Sequence, residues 1–203
     1  MTTKRRFEYL LKTVMLAIFL ATTGAELGRG QAAVWPSKEG ENAVGFNEFL
    51  DRVQAYVKLH NSIESSLPAL KPTDQPDKIA NHQQALAQRI REVRRHARRG
   101  DMFSEEAQKA FRRTVREEFG GPHGHGARTT IRQGEPLKTI HLHVNEPYPD
   151  GLPYTTLPPT LLLEFPKLPD QLAYRIVARD LILLDVEANL VIDRIPDIFP
   201  ETI

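Results

Sequence analysis

Between Ala43 and Leu67 the apolar residues Phe46, Phe49, Leu50, Val53, Tyr56, Val57, Ile63 and Leu67 recur in steps of three and four, and His60 falls on the same stripe. That period predicts an amphipathic helix. Pro68 closes it, and Lys71 to Pro76 reads as a loop. A second helix follows, with Thr73 or Asp74 as its cap and Pro76 in its first turn. Its apolar face is Ile79, Leu86, Ile90, Val93 and Ala97, and Arg98, Arg99 and Gly100 end it. Ser104 caps a third helix, with Glu105 and Glu106 placed where the helix dipole favours acids. Ala107, Phe111, Val115 and Phe119 line that helix, and Gly120, Gly121 and Pro122 stop it. Short connections between amphipathic helices predict antiparallel neighbours in a small bundle.

The pattern then changes period. Thr139 to Val144 alternates, with Ile140, Leu142 and Val144 on one face and Thr139, His141 and His143 on the other. Asn145 to Pro159 is a proline-set loop, and Leu161 to Phe165 reads as a short apolar strand. Three further strands are expected at Ala173–Val177, Leu181–Leu184 and Leu190–Ile195, joined by hairpin-sized turns. Asp185 and Asn189 bracket the second turn, where such side chains commonly satisfy backbone groups. The expected fold class is α+β: about three N-terminal helices, then a small antiparallel sheet of at least five strands ending in a three-stranded meander.

Before these elements lies a segment of different character. Lys4, Arg5 and Arg6 precede an apolar or small run from Thr13 to Thr23, followed by Gly24 and Ala25. Basic start, short apolar stretch and small residues are the parts of a secretory signal. The expected cut follows Ala25, with Ala32 or Ala33 as the alternative. The run is short for a span of about 20 apolar residues; an uncleaved membrane anchor is the competing reading. The chain therefore divides into a leader at 1–33, a basic helical region at 43–121, a Gly/His-rich linker at 122–134 and an acidic, proline-rich region at 135–203. Trp35 is expected to pack as an N-terminal anchor.

Composition narrows the function classes. The 203 residues carry a net charge of +1 and no cysteine. That excludes a disulfide scaffold, a thiol enzyme and a cysteine-ligated zinc site. The near-neutral balance conceals two halves of opposite sign. Arg89, Arg91, Arg94, Arg95, Arg98 and Arg99 cluster on the second helix, while acids outnumber bases after Glu135. The arginines suit an envelope protein of acidic character or an anionic surface. Opposite charge also permits docking of one half on the other, within a chain or between copies in a homo-oligomer. Missing aromatic interleaving and the secretory signal argue against nucleic acid.

Candidate chemistry is sparse. His141 and His143 alternate onto one strand face and could chelate one ion, with a third ligand from His123, His125 or Glu146. Imidazole pairs suit zinc, nickel or copper; no other cofactor is implied. No nucleophile elbow, phosphate loop or His-Glu-x-x-His motif occurs in the sequence. Asp180, Asp185 and Asp193 lie close in the meander and form the one carboxylate group worth weighing for a hydrolase. Tyr148 and Tyr154 either form a recognition surface or pin the proline loop to the sheet.

The stretch from Asp101 to Phe119, the run from Val144 to Pro169 and the tail from Leu172 to Pro196 resemble a group of secreted bacterial proteins of no assigned function. The tail is the most specific part, with Tyr174-Arg175, Arg179-Asp180-Leu181 and Asp185-x-x-x-Asn189. The resemblance implies a bacterial envelope setting and supplies no catalytic residue. The last hairpin is also similar, over a short stretch, to that of periplasmic nickel/cobalt-homeostasis proteins. Together these features predict a non-enzymatic binding or structural module of the envelope. The alternative is a periplasmic metal-binding protein using the His-x-His pairs, and the third reading is a hydrolase.

Overall fold

The structure is a computed structural model and describes residues 38–121 and 142–199, with Gly124 and Thr129. The leader, Trp35, His123, His125 and His141 lie outside the described residues. Among the described residues the main elements follow in order: α1 Lys38–Ser66, α2 Pro76–Val93, α3 Glu105–Gly120, α4 Pro159–Glu164, β1 Leu172–Val177, β2 Asp180–Asp185 and β3 Leu190–Ile195. The strands form one antiparallel sheet in sequence order. The architecture is thus α+β, helices first and a meander last.

The stripe on α1 is buried as its period requires, from Phe49 through Val53, Tyr56 and His60 to Ile63. Ser104 caps α3, its side-chain oxygen accepting from the Ala107 amide at 3.2 Å. α1 and α3 approach closely at Gly45, where a Cβ would stand 2.5 Å from the Glu106 carbonyl oxygen. Phe111 of α3 sits at the centre of an aromatic cluster. Phe46, Phe49, Phe103 and Phe165 surround its ring at 4.7–5.1 Å between centroids, with Tyr174 of β1 at 5.9 Å. Edge-to-face pairs of this kind add to the burial itself. Helices and sheet therefore share one core.

A bulge sets the helix-facing side of the sheet. Leu183 pairs with Asp193 and Leu184 with Val191, leaving Ile192 as an extra residue in β3. Strict alternation would send Asp193 and Ile195 to the far face. The bulge returns both to the side where Leu181, Leu183 and the helices pack. The opposite face carries a smaller cluster of Val177, Ile182, Leu184 and Val191 under Leu142 and Tyr148.

The proline loop lies across that second face and occupies both sheet edges. Asn145 donates to the Val191 carbonyl and Val191 to that of Glu146, along β3. Thr155 and Ile176 exchange amide bonds along β1. Free edges invite pairing with other chains, and these loop contacts blunt them.

Four expectations need correction. Gln75, not Thr73 or Asp74, is the N-cap of α2, and no side chain caps it. Leu161–Phe165 is not a strand: α4 covers Leu161 to Glu164, with Pro159 at its start. Leucine and glutamate favour helix, and proline is preorganised for a first turn. α2 ends at Val93 rather than near Ala97. There the Asn145 side-chain amide donates to the carbonyls of Arg91 and Arg94, at 3.2 and 3.0 Å. This cap comes from a distant loop, so the local pattern overran it; Val93 is consequently exposed. Among the described residues the sheet has three strands rather than five, and Leu142–Val144 is loop and turn.

Candidate functional site

The second half of α1 carries polar residues into the core. Tyr56 and His60 are one turn apart on its buried stripe and meet Asp185 at the end of β2. Tyr56 Oη donates to Asp185 Oδ2 at 2.5 Å, and His60 Nδ1 lies 2.7 Å from the same oxygen. A carboxylate only accepts, so Nδ1 carries its proton. The other oxygen, Oδ1, accepts from the Glu187 and Ala188 amides at 3.0 and 2.8 Å. Asp185 thus closes the β2–β3 turn and anchors α1 in one group, while itself fully buried.

This arrangement aims His60 Nε2 outward. It meets Glu187 Oε2 at 2.9 Å and Glu64 Oε2 at 3.9 Å. Glu64 lies one turn beyond His60 on α1, and Glu187 lies in the turn that Asp185 organises. The three donor atoms all fall within 4.8 Å of one another. Glu64 and Glu187 line a cleft of about 380 Å³ together with His82, Gln83, Leu86 and Val186, and His60 lies buried behind them. Burial opposes charge on His60, but the hydrogen bonds and charges of Asp185 and Glu187 outweigh it and raise its pKa. Tyr56 is raised as well, by burial and then by the Asp185 charge. The Arg94 guanidinium stands 5.3 Å from the centre of the Tyr56 ring, a cation–π contact.

The other candidate carboxylates are engaged separately. Asp193 is buried and accepts from the amides of Gly100, Met102, Phe103 and Arg194 at 2.7–3.1 Å, tying the α2–α3 connection to β3. Asp180 accepts from Arg194 at 2.7 Å and from the Asp197 amide at 2.9 Å. Asp180, Asp185 and Asp193 therefore hold three different junctions. They do not face one another as an acid–base pair.

The arginine cluster divides. Arg94 turns inward to the Ile192 carbonyl at 3.2 Å, and burial lowers its pKa. Arg91 donates to the Asn145 carbonyl and Arg89 pairs with Glu92. Arg95, Arg98 and Arg99 are exposed in the turns after α2. Arg98 stands 4.0 Å from Asp101. Arg91, Arg94 and Arg112 reach the acidic half through carbonyl oxygens, not carboxylates.

His143 is exposed in the loop before the sheet. Tyr148 is buried and pins the proline loop: its amide donates to the Asn189 carbonyl at 2.8 Å and its hydroxyl to that of Pro153 at 3.3 Å. Tyr154 is half exposed, edge-on to Tyr148 and under Arg175.

Sequence reasoning missed the grouping of His60, Glu64 and Glu187. A histidine on a buried stripe with a glutamate one turn later was the visible signal. Glu187 lies 127 residues from His60, and only the meander brings it there. No protein-family model, curated protein or solved structure matches this chain, so its function is argued from its own residues.

Proposed function

We propose that this chain is an exported protein of the bacterial cell envelope, a non-enzymatic binding module that meets an anionic surface through its arginines. The observation that carries the binding reading is the outward display of Arg95, Arg98 and Arg99. They stand on the turns between α2 and α3, and the weak approach of Arg98 to Asp101 is the one ion pair found for them among the described residues. Clustered, partly unneutralised guanidinium groups raise the local potential and favour anionic partners. The basic, apolar and small-residue order of the first 33 residues supports export. So does the resemblance of the tail to secreted bacterial proteins. The separate structural duties of Asp180, Asp185 and Asp193 weigh against the hydrolase reading.

Two measurements test this. The mature N-terminus, read by mass spectrometry from an envelope fraction, should follow Ala25, Ala32 or Ala33; a protein that still begins at Met1 contradicts cleavage. The protein should co-sediment with phosphatidylglycerol vesicles but not with phosphatidylcholine vesicles, and binding should fall as salt rises. An R95E/R98E/R99E variant that binds as well as the parent contradicts the arginine surface. Metal binding is the second reading, and the cluster around His60 is the observation that favours it.

A further inference from the structure

We propose that His60, Glu64 and Glu187 form a binding site for a divalent transition-metal ion, zinc foremost, at the junction of α1 with the β2–β3 turn. The inference does not depend on export or on the arginine surface, and it uses none of the His-x-His residues.

Three observations converge on it. The first is donor geometry. A tetrahedral ion about 2.1 Å from each ligand holds its donors about 3.4 Å apart. The distances from His60 Nε2 to Glu187 and Glu64, 2.9 and 3.9 Å, bracket that value. The glutamate side chains are 44% and 45% exposed, so small rotations bring them into place. The second is the support behind the imidazole. Asp185 accepts the hydrogen bond from Nδ1–H and is itself held by Tyr56 and two turn amides. Carboxylates placed behind ligating histidines in this way fix the tautomer and raise the basicity of the coordinating nitrogen. The third is charge. Asp185, Glu187 and Glu64 surround one imidazole. Among the described residues neither glutamate has a lysine or arginine ion pair. Even a protonated His60 leaves this group net negative.

Binding replaces the proton between His60 Nε2 and Glu187 Oε2 with the ion, and that proton goes to solvent. The fourth position faces the cleft that Glu64 and Glu187 line, where water completes the shell. One nitrogen and two carboxylate donors suit zinc or its first-row neighbours. Calcium seeks six to eight oxygens and has little use for the histidine.

The test is zinc chloride titrated into the metal-free full chain, with bound ion counted by equilibrium dialysis and elemental analysis. One zinc per chain is expected. Affinity should fall at least about tenfold in Glu64→Gln/Glu187→Gln and stay unchanged in His141→Ala/His143→Ala. Because both glutamates are half exposed, the first variant should keep the parent's circular dichroism. A second readout needs no variant: cobalt(II) should shift and broaden the His60 ring proton and the amides of Val186 to Ala188. Absence of zinc binding, binding undiminished in Glu64→Gln/Glu187→Gln, binding lost in the His141/His143 variant, calcium bound equally well, or cobalt effects confined elsewhere would each overturn the site.

Discussion

The two halves of α1 pack against the same core by different means. From Phe46 to Val53 the contact is apolar, centred on Phe111. From Tyr56 to Glu64 it is polar, centred on Asp185. Apolar packing is non-directional and tolerates exchange of similar volumes. The polar seam demands particular atoms, because a buried carboxylate left without its donors is costly. Stability alone would be served as well by leucine at both ends. The polar seam spends desolvation on a precise orientation for one imidazole, which points to a role for that orientation.

The largest expected effect breaks the apolar half. Phe111→Ala removes the ring that five aromatic neighbours touch. It should cost about 3–5 kcal/mol in denaturant unfolding. Next comes Asp185→Asn, which leaves His60 and Tyr56 with one neutral acceptor; a loss of about 3 kcal/mol is expected in the same assay. Asp193→Asn replaces one of the two oxygens that serve four amides with an NH2 group that cannot accept, and should cost about 1.5–2 kcal/mol at acidic pH.

The pH dependence of that last variant has a definite sign. Burial raises the Asp193 pKa, although its four amide bonds pull it down. Between the unfolded value of about 3.9 and the raised folded value, the native state keeps a proton that the unfolded chain has released. The parent therefore loses stability as pH rises through that window. The gap between parent and Asp193→Asn should narrow from pH 4 toward neutrality; a widening gap contradicts it. Tyr56→Phe removes one hydrogen bond to Asp185 and retains the ring, for about 1 kcal/mol.

Much of this molecule is legible in the sequence, and the illegible parts share a cause. The stripe from Phe46 to Ile63, the Ser104 cap and the meander from Ala173 to Ile195 follow from local period and local chemistry. The end of α2 does not, because Asn145 supplies its cap from across the fold. Nor does the bulge at Ile192, because Val191 and Ile195 are in phase in the sequence and only the pairing with β2 separates them. The short, mostly apolar run from Leu161 to Phe165 does not by itself choose between strand and helix; the paired prolines before it are the deciding signal. At the site, His60 was visible as the one histidine on an apolar stripe, and Asp185 as a turn-former. Their meeting is a tertiary fact, and so is the arrival of Glu187.

The smallest expected effect is the most informative. In metal-free buffer Glu64→Gln/Glu187→Gln should unfold within about 0.5 kcal/mol of the parent, as exposed substitutions do. Thermal unfolding of both proteins with and without zinc tests the central claim directly. Near-equal midpoints are expected without zinc, and with it a rise in the parent worth about 2.7 kcal/mol at a hundredfold excess over the dissociation constant, larger than the variant's by at least about 1 kcal/mol. A variant that is already destabilised without zinc, beside a parent that zinc leaves unmoved, would show that His60 and its glutamates are a structural ion triad and not a metal site.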